Sequence, residues 1–302
     1  MRRVLVVPVV LVMAWAGACG NGGGGDDLAN GRTRVIASFY PLYEAAQRVG
    51  GDRVQVRNLT PAGSEPHDLE LSSRQVDQIE DAAVVLLLGQ GFQPALEKAA
   101  VRATGTRVDV LGAVGDLRPA PAGDDQLDID PHVWLDPRLY KAIVAQVAGA
   151  LSDADPVNRA TYETNAAAFG RELDDLDAAF SQGLSSCDRR VVVTSHAAFG
   201  YLTARYGLTQ EAIAGLEPES EPSPQRLADL TGKVRSGGTT TIFYETLVSP
   251  KVAQSLAREA GVATAVLDPI EGLSEADAKA GKTYVSAMQE NLAALRRALG
   301  CR

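Results

Sequence analysis

The chain is predicted to be an α/β protein of two lobes, each with a mostly parallel sheet flanked by helices, joined by one long rigid connecting helix. Three observations predict this. Strand and helix patterns alternate on both sides of the middle of the chain. The run AVVLLLG (83–89) is apolar without alternation, as in a strand covered on both faces. After Pro156, the apolar residues Tyr162, Ala166, Phe169, Leu173, Leu176, Phe180 and Leu184 recur at helical spacing, which makes a helix about 40 Å long at ~1.5 Å per residue.

In order, VIASF (35–39) reads as a strand, PLYEAAQRVG as a helix ending on Gly50 and Gly51, and VQVRNLT (54–60) as a strand. SSRQVDQIEDA (72–82) is a helix capped at Ser72 or Ser73; FQPALEKAA is helical and TRVDVL (106–111) extended. Asp136-Pro137 and Asp155-Pro156 each place a capping residue before a first-turn proline. RRVVVTS (189–195) is a strand, AAFGYLTARYG a helix and LTQEAIAG strand-like. SPQRLADLTGKVRSGG is a helix capped by Ser223, TTTIFYE a strand, SPKVAQSLAREAG a helix closing on Gly261, VATAVLD a strand, and KTYVSAMQENLAALRRALG a final amphipathic helix. The expected division is 33–150 for the first lobe, 151–184 for the connecting helix and 185–302 for the second lobe. Right-handed crossovers between parallel strands follow.

With 302 residues, 45% hydrophobic and 22% charged, two globular domains are expected, each burying its own core. A formal charge of -9 leaves no basic stripe for phosphates and excludes a nucleic-acid partner, while suiting a cation. Residues 1–18 form a secretory signal: two arginines, an apolar run from Val4, and the small residues Ala16, Gly17 and Ala18. Those small residues before Cys19 resemble a bacterial lipoprotein processing box, which implies lipidation of Cys19; the alternative is an ordinary signal peptide with a chance cysteine. Residues 19–32, rich in glycine, read as a flexible tether. In an oxidising compartment Cys187 and Cys301 are candidates for a disulfide, with two free thiols as the alternative.

The chain has only three histidines. His67 follows a strand by a short loop, His132 precedes the Asp136-Pro137 helix, and His196 stands at the carboxyl end of VVVTS. Glu245 and Asp268 end two further strands. Ligands of open α/β sheets bind outside the carboxyl ends of strands, so these residues point to a cleft between the domains. Three imidazoles with one or two carboxylates suit zinc better than magnesium or calcium. Glu245 could equally orient an imidazole, as could Glu65 or Glu70, and Asp268 could merely cap a turn.

The motifs EPHDLELSSRQVDQI, PHVWLDP, VVVTSHAAFGYL, IFYETLVSP and VLDPIEGL, together with the lipoprotein signal, resemble the metal-binding substrate proteins of bacterial zinc and manganese ABC uptake transporters. That resemblance implies metal ligands at His67, His132, His196 and Asp268, with Zn2+ as the transported ion. Manganese-type members tend to carry a carboxylate where His196 stands, so three histidines resemble the zinc-type arrangement, with Mn2+ as the alternative cargo. It further implies an ABC permease as partner, a lipid anchor on the outer face of the cell membrane or a periplasmic location, a monomer, and no enzymatic activity. One departure is plain: the segment before His132 has no histidines but carries Asp116, Asp124, Asp125, Asp128 and Asp130. Two competitors are an exported zinc hydrolase and a surface adhesion protein with structural metal. Against the first, the chain lacks an HExxH helix, and Ser195 beside His196 cannot form a triad by adjacency.

Overall fold

A computed structural model describes residues 31–115, 117–121 and 127–302. The expected signal peptide, Cys19, nearly all of the tether, and Asp116, Asp124 and Asp125 lie outside the described residues.

The first sheet contains β1 (Thr33–Ala37), β2 (Val54–Asn58), β3 (Val84–Leu87) and β4 (Thr106–Asp109), in the order β2-β1-β3-β4, all pairs parallel. Its helices are α1 (Tyr40–Gly50), α2 (Ser73–Glu80) and α3 (Pro94–Ala100). The second sheet repeats the same order with β5 (Val191–Thr194), β6 (Thr209–Ala212), β7 (Thr241–Tyr244) and β8 (Ala263–Val266), as β6-β5-β7-β8, again parallel. Around it lie α6 (Gly200–Arg205), α7 (Pro224–Ser236), α8 (Lys251–Ala260), α9 (Glu275–Ala280) and α10 (Tyr284–Leu299). Between the sheets run α4 (Pro137–Ala154) and the long α5 (Arg159–Gly183). These are two parallel-sheet lobes flanked by helices, with the expected long helix between them. In each sheet the strand order reverses beside β1 or β5, which brings loops together at the carboxyl ends of the strands.

Local chemistry explains the helix starts. Ser72 and Gln75 form a reciprocal capping box on α2, Ser223 accepts from Arg226 N–H on α7, and Asp136 accepts from Arg138 N–H on α4. Asp155 acts differently from expectation. Its carboxylate accepts from Tyr162 Oη and Asn158 Nδ2, both at 2.7 Å, and residues 156–158 form one 3-10 turn before α5 begins.

The expectation of two separate cores is corrected. The principal hydrophobic core takes Val35 and Leu42 from the first half, Ile143 from α4, Phe169, Leu173 and Leu176 from α5, and Val192, Phe243 and Leu295 from the second half. Two satellite cores cover the other sheet faces, one with Ile36, Val85 and Leu96, the other with Val193, Ile242 and Leu256. Neighbouring strand residues therefore face different cores, Val84 and Leu86 one way, Val85 and Leu87 the other, which is why AVVLLLG shows no alternation. α5 is tied to both halves. Asn165 Nδ2 donates to Val49 O at 2.9 Å, and Asp177 accepts from Arg138 Nε on α4 and Arg205 Nε on α6, both at 2.9 Å.

Cys187 and Cys301 are disulfide-bonded across 114 residues of sequence. Flanking backbone bonds, Arg302 N–H to Ser186 O at 3.0 Å and Arg189 N–H to Leu299 O at 3.1 Å, hold the two ends side by side. Closing a loop of this length removes unfolded-chain entropy, and loss of such a bond typically costs about 2–5 kcal/mol. Replacing both cysteines by serine should therefore lower the unfolding midpoint by several degrees. Thermal denaturation with and without reductant checks this, and an unchanged midpoint would contradict it.

Candidate metal centre

Each histidine is fixed by its own local structure. His67 lies in the loop after β2, where Thr60 Oγ1 donates to Ser38 O at 2.8 Å and Gln93 Nε2 donates to Pro66 O at 3.0 Å. Its backbone N–H donates to Glu65 Oε2 at 2.8 Å, and Phe92 meets its ring edge-on at 4.5 Å. His132 follows Asp130, whose Oδ1 accepts from the His132 backbone N–H at 3.0 Å. Trp134 packs 5.1 Å from the His132 ring. His196 leaves the end of β5 with its carbonyl held by Thr194 Oγ1 at 2.7 Å and Gln210 Nε2 at 2.9 Å.

The three rings converge on one carboxylate, that of Glu271. Glu271 Oε1 is 3.0 Å from His132 Nε2, 3.3 Å from His196 Nε2 and 3.5 Å from His67 Nε2, and the two imidazole nitrogens of His132 and His196 are 3.4 Å apart. One ligand atom from each of the four residues lies within 4.8 Å of the others, and all four residues are buried. A tetrahedral zinc with bonds of about 2.0–2.1 Å spaces its ligands about 3.3 Å apart, close to the four separations of 3.0–3.5 Å. His67 Nε2 is buried, and Glu271 Oε1 stands 3.5 Å from it, at the far limit of a hydrogen bond.

Behind every ring stands a second carboxylate. His67 Nδ1 is 3.1 Å from Glu217 Oε1, His132 Nδ1 is 2.8 Å from Asp130 Oδ1, and His196 Nδ1 is 2.6 Å from Glu245 Oε1. Glu245 also accepts from Ser195 Oγ. Such partners fix the tautomer, so that Nε2 alone faces a metal, and they increase its basicity.

Among the residues singled out from sequence, His67, His132 and His196 are brought together, Glu245 backs His196, and Glu65 holds the backbone of His67. Asp268 is the correction. It is buried, but its Oδ1 accepts from Ile270 N–H at 2.8 Å, and its own backbone is bonded to Asn291. The side chain is occupied in a turn before proline, a common use of aspartate, and Glu271 offers the fourth ligand atom. Sequence reasoning also missed Glu217 and the role of Asp130; for Asp130 the two-residue offset from His132 was the available signal.

Burial and charge act against each other at His67, His196 and Glu271. Burial pulls the His67 imidazole down, but its hydrogen bonds to Glu217 and Glu271 outweigh this and raise it to about 10. His196 is likewise pushed well above the usual imidazole range: burial opposes, and the charges of Glu245 and Glu271 prevail. Burial raises Glu271, yet the charge of His196 and hydrogen bonds from the three rings hold it well below the carboxylate range. Burial, then the charge of Glu271, pushes Glu65 up to about 8. Burial also raises Asp268, to about 6.

Two parallel-sheet lobes with a buried cluster of three imidazoles and a carboxylate define a solute-binding protein with a metal-type ligand set. Residues 35–298 match the family described as zinc-uptake complex component A, periplasmic (ZnuA), and the chain belongs to that family. The zinc-binding lipoprotein AdcA of Streptococcus pneumoniae strain R6 is 36% identical over 308 residues, covering 98% of this chain and 61% of AdcA. This chain thus spans about three fifths of the AdcA length. The high-affinity zinc uptake system protein ZnuA of Bacillus subtilis strain 168 is 32% identical over 297 residues, 93% of each chain. The crystal structure of the Zn(II)-bound ZnuA-like domain of S. pneumoniae AdcA superposes with a TM-score of 0.77 at 38% identity, covering 89% of this chain and 99% of that one.

A protonated imidazole cannot ligate a metal. His67 and His196 are both raised, so a cation that binds at their Nε2 atoms competes with protons there. Binding should release protons near neutrality, and affinity should rise with pH and fall on acidification. Calorimetry in two buffers of different ionisation enthalpy measures the release; its absence would refute this protonation scheme.

Proposed function

We propose that the chain is an extracytoplasmic receptor that captures Zn2+ between its two lobes and hands it to the permease of an ABC importer, tethered to the membrane by lipid at Cys19. The observation that carries this reading is the convergence of His67, His132, His196 and Glu271 on one buried point, each imidazole backed by a carboxylate. A donor set of three nitrogens and one oxygen favours zinc over harder cations, which prefer mostly oxygen. AdcA, a zinc-binding lipoprotein, and Bacillus ZnuA, a high-affinity zinc uptake system protein, point the same way.

The mechanism follows from the packing. Because the principal core draws on both halves and on α5, wide separation of the lobes would expose much of it. Exchange of the cation is therefore assigned to movement of the ligand-bearing loops, chiefly the one around His67, with only modest rotation of the lobes. The backing carboxylates keep the remaining rings aimed while one ligand is away.

Calorimetric titration should show one tight Zn2+ site and weaker binding of Mn2+. His67→Ala and His196→Ala should each weaken Zn2+ by at least about a hundredfold, more than the ~10–100-fold typical of losing an outer-shell partner. No tight zinc binding, or unchanged affinity in both variants, would sink the proposal; tighter Mn2+ than Zn2+ would reassign the cargo.

A further inference from the structure

Glu271 reaches the three imidazoles from a turn that its own residues do not favour. Ile270, immediately before it, has φ +57, one of two non-glycine residues at positive φ among the described residues. For a β-branched side chain this conformation is a true outlier, and it persists only where the surroundings over-determine it.

Those surroundings are specific. Asn291, on α10 and 2% exposed, accepts the Asp268 N–H on Oδ1 at 2.8 Å and donates from Nδ2 to Asp268 O at 2.6 Å. Both polar atoms of its side chain are thereby committed to one backbone residue, mimicking a neighbouring strand after β8 has ended. Trp134 Nε1 donates to Pro269 O at 2.8 Å, while Trp134 O accepts from Tyr284 Oη at 2.6 Å. Asp268 Oδ1 closes the turn on Ile270 N–H, and the Ile270 side chain is fully buried in the principal core. Asn291 and Trp134 thus hold the two peptide groups that precede Ile270, and neither is among the four residues that offer ligand atoms.

We infer that Asn291 and Trp134 are positioning residues for Glu271: by pinning the 268–271 turn they set its carboxylate opposite the three Nε2 atoms before a cation arrives. The inference rests on the reading of this cluster as a Zn2+ site. Preorganised ligands bind more tightly because their ordering is already complete. Trp134 also contacts His132, so it serves two of the four ligands at once.

The test is a double-mutant cycle on the full chain, read by Zn2+ competition against a chelating indicator and by the visible absorption of bound Co2+. Asn291→Leu, of similar volume without the polar atoms, should weaken Zn2+ about 10–100-fold and alter the Co2+ spectrum, as loss of outer-shell support does. In a Glu271→Ala background the same substitution should change affinity by less than about twofold, because two changes acting through one group are not additive. Trp134→Phe should show the same dependence on Glu271 with a smaller loss, and it decides the matter should Asn291→Leu fail to fold. Equal losses in both backgrounds, or wild-type affinity and spectrum in the single variants, would overturn the inference. Wild-type protein without tight Zn2+ binding would overturn the functional proposal itself, a distinct outcome.

Discussion

Glu271 is an ionised carboxylate with almost no access to water, and much of the structure exists to make that tolerable. A buried anion is costly unless opposite charge and hydrogen bonds compensate it. Three imidazoles do so here, and each then needs an acceptor for its far nitrogen, which Glu217, Asp130 and Glu245 supply. The result is a shell of carboxylates around a shell of rings around one carboxylate. Protons on the rings and a divalent cation are alternative ways to balance a buried carboxylate of this kind.

The placement of those groups depends on the repeated topology. Each sheet has its strand reversal at the same relative position, so loops after β2, β5 and β8 and the segment before α4 all deliver side chains from strand ends or helix entries. α5 and the shared core hold the two sets of loops at fixed spacing. Stability and site geometry are therefore coupled: a cavity in the core beneath Phe169 or Leu176 would loosen the frame on which both halves of the ligand set stand.

The elements were largely legible because strands and helices carry distinct apolar periods and the caps at Ser72, Asp136 and Ser223 mark helix entries. His67, His132 and His196 were legible because histidine is scarce in this chain and each one sits at an entry or exit of an element. Glu271 was not. Which of two nearby carboxylates faces the rings is decided by the backbone of Ile270 and by Asn291, twenty-three positions from Asp268, and no local pattern encodes either. Glu217 was hidden for a related reason, since it meets His67 across 150 residues of sequence in a chain with 38 acidic residues. The single principal core was also not readable, because an apolar stripe on α5 tells which face is buried but not against which partners.

The bond between Cys187 and Cys301 has a consequence beyond stability. It turns the second lobe into a covalently closed ring that contains His196, Glu217, Glu245 and Glu271. A protease that cuts one loop inside this ring opens it without releasing a fragment. A nicked molecule keeps its half of the cluster attached to the rest.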